Sequence, residues 1–253
     1  MKTLLHKQSG FSLVELMVAM MIALIGLLAG STMYLATKQT NRVQQMQDAL
    51  TQDGRFVMHM LQQVISQAGF RQNPGLALGN DYLVPTSSTR VTVGFFGDTL
   101  SGVECDGSMS NGNKRVTISL NGASLQCSLQ GGGAVNWIEP VGNGTEVASF
   151  LLEYGTDTGP NPTPASIGCG NTITPTTRPR DCVPDTYDLA VAQANQAQIM
   201  AVKACLVLRT VRTDSAIAKA AAINDCAGNA IAGSANDNRL YRTFRTTVLL
   251  RNR

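Results

Sequence analysis

Residues 7–36 read KQSGFSLVELMVAMMIALIGLLAGSTMYLA, and the fold is decided there. Across residues 11–36 the only ionisable groups are Glu15 and the weakly acidic Tyr34. As a helix rising about 1.5 Å per residue, this stretch reaches roughly 39 Å. That crosses a hydrocarbon core of about 30 Å with some tilt. Lys2 and Lys7 precede the apolar run, so the positive-inside rule keeps residues 1–10 cytoplasmic and sends the C-terminus across the membrane.

An ordinary secretory signal does not account for the segment. Its apolar region spans about 7–15 residues and a small-residue cleavage site follows it, whereas here the run is longer and the small Gly10 precedes it. A plain membrane anchor fits the hydropathy but leaves Glu15 unexplained. A carboxylate at the centre of a membrane helix costs about 2.5–3.5 kcal/mol and less near an end, so such residues usually have a partner and a function.

The run Gly10-Phe11-Ser12-Leu13-Val14-Glu15 resembles the class III signal of type IV pilins and pseudopilins. In that pattern a Gly precedes the cut, the first mature residue is aromatic, and the fifth is Glu. The resemblance implies a prepilin peptidase that cuts between Gly10 and Phe11 and methylates the new Phe11 amine. It also implies that Glu15 pairs in the membrane with the Phe11 amine of a neighbouring subunit. Pairing offsets the desolvation of both charges, and a head-to-tail contact of this kind builds open helical filaments.

Beyond residue 36 the chain turns polar but keeps a helical period. Val43, Met46, Leu50, Val57, Met60, Leu61, Val64, Ile65 and Ala68 fall mostly three and four apart, the core face of an amphipathic helix. Gly54 interrupts the pattern and marks a candidate kink. The helix is predicted to end near Gly69, before Pro74-Gly75. Strands are predicted over residues 90–96, 115–120, 123–129, 147–154, 200–211 and 242–250, with Asn121-Gly122 as the best hairpin turn. The Pro-rich stretch 159–184 reads as a long loop, and 214–231 fits either a helix or a loop. The resulting organisation is a leader (1–10), a transmembrane assembly helix (11–36), its amphipathic continuation (37–70) and a β-rich domain (71–253).

Six cysteines, Cys105, Cys127, Cys169, Cys182, Cys205 and Cys226, all lie beyond the membrane segment. An even set so placed reads as disulfides in an oxidising compartment. Pairing of sequence neighbours is the simplest of the fifteen possible arrangements. No CxxC pair occurs, and His6 and His59 are remote from every cysteine, so no metal or other cofactor is expected. Without Lys2 and Lys7 the 20 basic residues fall to 18, against 17 acidic ones, which leaves no nucleic-acid footprint. None of the GxSxG, HExxH or P-loop patterns is present.

Three further stretches are similar to PilW-type minor pilins. They are Asp53-Gly54-Arg55-Phe56 with Gln67-Ala68-Gly69-Phe70, then Glu153-Tyr154-Gly155-Thr156-Asp157 as strand and turn, and the ending from Thr246 to Arg253. This resemblance implies an α+β, pilin-like fold: a long N-terminal helix, its second half amphipathic, packed on an antiparallel β-rich domain with long loops. It further implies a minor pilin that is not an enzyme and that primes or joins a type IV pilus. The partners so implied are other minor pilins, the major pilin and the inner-membrane assembly platform. A minor pseudopilin of type II secretion shares the N-terminus, and a signal-anchored periplasmic enzyme is the alternative of a different class. Asp157 offers one carboxylate, too few for a calcium cage.

Overall fold

The helical period of the N-terminal third produces one unbroken helix, α1 (Leu13–Ser66). The structure, a computed structural model, describes residues 12–71, 82–98, 102–109, 111–142, 144–158, 182–219 and 221–252. The chain forms two compact units, Met1–Gln45 and Met46–Arg253. In the first unit α1 buries nothing: Leu13, Leu24 and Leu27 are 74%, 61% and 70% exposed. A bare apolar helix of this length and composition is one that can cross a membrane. Its hydroxyls are satisfied locally, with Ser31 Oγ donating to Leu28 O at 2.8 Å and Thr32 Oγ1 to Ala29 O at 2.9 Å. That suits a medium offering no other acceptor.

In the second unit the expected stripe becomes core. Met46, Leu50, Val57, Met60, Leu61, Val64 and Ile65 are buried. Helix α1 stops where Gly69 takes the left-handed conformation (φ 77°) and turns the chain away. Nine strands follow among the described residues: β1 (Leu83–Ser87), β2 (Arg90–Gly97), β3 (Gly112–Asn121), β4 (Ser124–Leu129), β5 (Ala134–Ile138), β6 (Thr145–Thr156), β7 (Thr186–Asp188), β8 (Ile199–Thr210) and β9 (Tyr241–Leu249). They form two antiparallel sheets, β1-β2-β3-β4-β5 and β7-β6-β8-β9. Period-2 burial on β2 (Val91, Val93, Phe95), on β3 (Val116, Ile118) and along β6 (Phe150, Leu152, Tyr154) feeds one cluster with the helix stripe. The β3–β4 hairpin closes at Asn121↔Ser124. Gly122 supplies the positive φ (60°) at the first central position that a primed turn requires.

Four expectations are corrected or settled here. Gly54 does not interrupt α1; it is a buried glycine whose missing side chain admits the ring of Phe244. Tyr154-Gly155-Thr156 is not a turn but the end of β6, paired to both β7 and β8. The described residues of 214–231 form a loop with one isolated bridge, Asn224↔Ala230. Finally, β1, β5 and β7 are strands beyond the six that the sequence predicts; each is at most five residues long, too short to show a period. Most of the Pro-rich stretch, with Cys169, lies outside the described residues.

The two disulfides among the described residues join sequence neighbours. Cys105–Cys127 pins the small 103–109 hairpin to β4, and Cys205–Cys226 pins the 224–230 hairpin to β8. Cys182 is also disulfide-bonded. Strand β8 is buried on nearly every residue; Cys205 is bonded to Cys226 and Lys203 lies over the Tyr187 ring, with Cys226 N donating to Ser149 Oγ at 3.1 Å beside it. Non-reducing mass spectrometry is expected to recover both described linkages with no free thiol. Replacing Cys105 and Cys127 together by Ala is expected to cost about 2–4 kcal/mol of domain stability. Free thiols at these positions in the oxidised protein would overturn the framework.

Candidate functional site

The segment with functional chemistry is the start of α1. Gly10 and Phe11 lie outside the described residues, which begin at Ser12. Ser12 precedes the helix, and its carbonyl accepts from Leu16 N at 3.1 Å. Glu15 stands in the first turn and reaches back toward the Ser12 N–H, 3.5 Å away. The pattern Ser12-x-x-Glu15 is thus half of a capping box, legible in the sequence as S-x-x-E. Among the described residues Glu15 has this one long hydrogen bond, on a helix otherwise uncharged for more than twenty residues. A carboxylate there lacks the compensation that low-dielectric surroundings demand.

The domain that follows is held by polar contacts placed where helix and sheets meet. Asp53 accepts from Thr145 Oγ1 at 2.5 Å, Gln62 Nε2 donates to Thr246 Oγ1 at 2.8 Å, and Arg242 donates to Thr51 Oγ1 at 2.7 Å. Gln67 works as a short piece of strand: its amide donates to Val103 O and accepts from Val103 N, both at 2.8 Å. The loop carrying Cys105 is thereby clamped to the end of α1. The chain's single tryptophan, Trp137, is buried and donates from Nε1 to Cys105 O at 2.8 Å.

The stretch from Tyr154 to Asp157 is a crossing point. Buried Tyr154 sends its hydroxyl to Ser87 O at 3.3 Å, and burial raises its ionisation far above the ordinary phenol range. A Cβ on Gly155 would fall 2.7 Å from Tyr187 Cε1 and 2.8 Å from Pro184 Cβ. Asp157, 1% exposed, accepts from the Cys182 N–H at 2.9 Å. This carboxylate organises backbone.

One polar cluster has no sequence signature. Glu146 accepts from Arg209 Nε at 2.6 Å and also from Arg239. Asp237 accepts from Lys219 and from the Tyr241 hydroxyl. Burial works against the Asp237 anion, but bonds from Lys219 and Tyr241 outweigh it and hold the carboxyl below its ordinary range. The Glu146 pairs reach Arg209 and Arg239 across 63 and 93 residues, so no local pattern could announce them, whereas Lys219–Asp237 closes the 211–240 segment on itself and Asp237–Tyr241 is a contact four residues apart. Among the described residues no group of three or more His, Cys, Asp or Glu is arranged to hold a metal.

A methylation-type N-terminal helix followed by a disulfide-tied, two-sheet domain defines a type IV pilin-like protein. Residues 5–31 match the prokaryotic N-terminal methylation motif. Residues 113–252, more than half of the chain, match the family model of the type IV pilus-assembly protein W, and the chain belongs to this PilW family. Family and motif together mark a minor pilin of type IV pilus assembly. Among solved structures, a type IV-like pilin from Thermus thermophilus is similar over 80% of this chain and 97% of its own, at 16% identity and a TM-score of 0.46. No curated protein matches the chain.

Proposed function

We propose that a prepilin peptidase removes residues 1–10 by cutting between Gly10 and Phe11 on the cytoplasmic side and methylates the Phe11 amine. The mature subunit then waits in the inner membrane with its disulfide-tied domain in the periplasm. It enters the pilus when Glu15 pairs with the terminal amine of a neighbouring subunit. Its partners are other minor pilins, the major pilin and the inner-membrane assembly platform, and its work is priming the filament or joining it. The observation that supports this reading is a lone carboxylate, five residues beyond the Gly10–Phe11 junction, on a bare apolar helix joined to a PilW-family domain. An oxidising periplasm also suits cysteines that are all bonded among the described residues.

Mass spectrometry of the membrane-extracted protein is the test. The first residue is expected to be N-methyl-Phe11. Gly10→Val is expected to leave the leader attached, because a branched side chain fills the space that a small residue leaves at the cut. A mature protein that keeps Met1, or begins after residue 36, sinks the proposal.

A further inference from the structure

We propose that the free edge of β9 is a strand-addition site, which takes an extended, acid-bearing segment of a different subunit. Among the described residues the two sheets have four terminal strands, and three of them are blunted. Strand β1 carries Pro85 and a register shift beside it. Strand β5 has five residues, with a register shift in its pairing, and β7 has three. Proline, bulges and shortness are the usual devices that keep edges from pairing. Strand β9 has none of them. Its nine residues contain neither Pro nor Gly, and they pair with β8 without a single shift.

The register also fixes which groups are free. Leu250 N donates to Met200 O at 2.8 Å and Thr210 N donates to Leu240 O at 3.0 Å. In an antiparallel ladder the bonded residues alternate, so Arg242, Phe244, Thr246 and Val248 spend their backbone groups on β8. Thr243, Arg245, Thr247 and Leu249 therefore aim N–H and C=O away from the sheet. Beside this edge lies a groove of about 510 Å³ between Gln62, Gln63 and Ser66 of α1 and Thr247, Leu249 and Arg251.

Charge selects the occupant. Arg245 and Arg251 are exposed, and neither they nor Arg242 forms an ion pair with a carboxylate among the described residues. Antiparallel pairing of two copies centred on Arg245 would set arginine against arginine, which is destabilising. An incoming strand with Asp or Glu at those positions turns the same groups into attractive pairs. Backbone bonds would supply affinity and the arginines specificity, as in strand addition generally. That the donor is a pilus subunit rests on the proposed function; the pairing itself rests on β9.

The test is photo-cross-linking in pilus-bearing cells, with a photoreactive residue at Thr243 of the full chain and the cross-linked peptides sequenced. The expected product joins Thr243 to an acid-bearing segment of another pilus subunit. Thr247→Pro removes only a free-edge N–H and is expected to lower the yield at least tenfold. Arg245→Glu, which leaves every backbone bond in place, is expected to lower it several-fold. Products with a second copy of this chain, with a helix or loop surface, or with unchanged yield in Arg245→Glu overturn the inference. The same sample reports the N-terminus: mature Phe11 without the cross-link defeats strand addition alone, whereas retained Met1 defeats the pilin reading.

Discussion

Glu15→Leu is expected to be inserted into the membrane and cleaved normally, yet to fall at least about tenfold in sheared pili. An anchor would respond differently. Replacing a carboxylate in an apolar helix by Leu removes a desolvation penalty and is neutral or mildly favourable for a tether. In a filament the same change strands the neighbour's amine in apolar surroundings. Breaking a buried pair costs about 3–5 kcal/mol, and about 1.4 kcal/mol is already tenfold. The cap contact from Glu15 to the Ser12 N–H offers a rival explanation, a weakened helix start worth about 0.5–2 kcal/mol. Glu15→Gln separates the two: its amide oxygen can still accept from Ser12, but it carries no charge. Loss of incorporation in both variants assigns the role to charge. Normal incorporation of Gln with loss in Leu assigns it to the cap, and normal incorporation of both makes the carboxylate incidental. Lost piliation with normal protein secretion marks the pilus pathway, and the reverse marks the secretion pseudopilus.

The parts of this molecule that its sequence disclosed are those governed by period and by local chemistry. A continuous apolar run, a 3–4 stripe from Met46 to Ala68, and a glycine turn at residue 122 each act within a few residues, so pattern reading reaches them. The six longer strands were legible for the same reason, β8 included. Its near-complete burial goes with a mostly apolar run that Lys203 interrupts, which says "buried" without saying by what. The partners it meets, Cys226 at Cys205 and Tyr187 at Lys203, and the Glu146–Arg239 pair that ties the 211–240 segment to β6, are tertiary facts. The candidate site divides similarly. Glu15 stands out because a charge in an apolar helix is anomalous on its face. The β9 edge does not, since strand order decides which strand is terminal, and order is set by long-range pairing.

Gly54 shows the same limit at one residue, where a helix-breaking signal was in fact a packing signal. On intrinsic propensity Gly54→Ala should stabilise α1 by about 1 kcal/mol. The structure reverses the sign. A Cβ there would lie 2.1 Å from Phe244 Cζ and 2.2 Å from Cε2, and overpacking of this kind costs about 1–3 kcal/mol or more. The ring end can swing aside, but Phe244 lies half-buried against the core and carries the Arg242 guanidinium 5.7 Å from its centroid, so moving it gives up contacts on two sides. Gly54→Ala is therefore expected to lower the domain's melting temperature by about 2–12 °C, at roughly 2–4 °C per kcal/mol for a domain of this size. Gly54→Leu, with three more carbons to place, is expected to prevent folding of the domain or to lower its melting temperature by more than twice as much. Emission from Trp137 follows this transition without interference from the membrane helix, because Trp137 is the chain's sole tryptophan and sits in the β5 layer. The decisive measurement is the double mutant. Phe244→Ala alone leaves a hole and destabilises; in the Gly54→Ala background it should cost about 1–2 kcal/mol less, because the added methyl then occupies space the ring has left. Strict additivity would show that the glycine serves some purpose other than admitting the ring. A coupling of that size would fix Gly54 and Phe244 as one contact, the close approach that seats β9, and with it the free edge, against the helix.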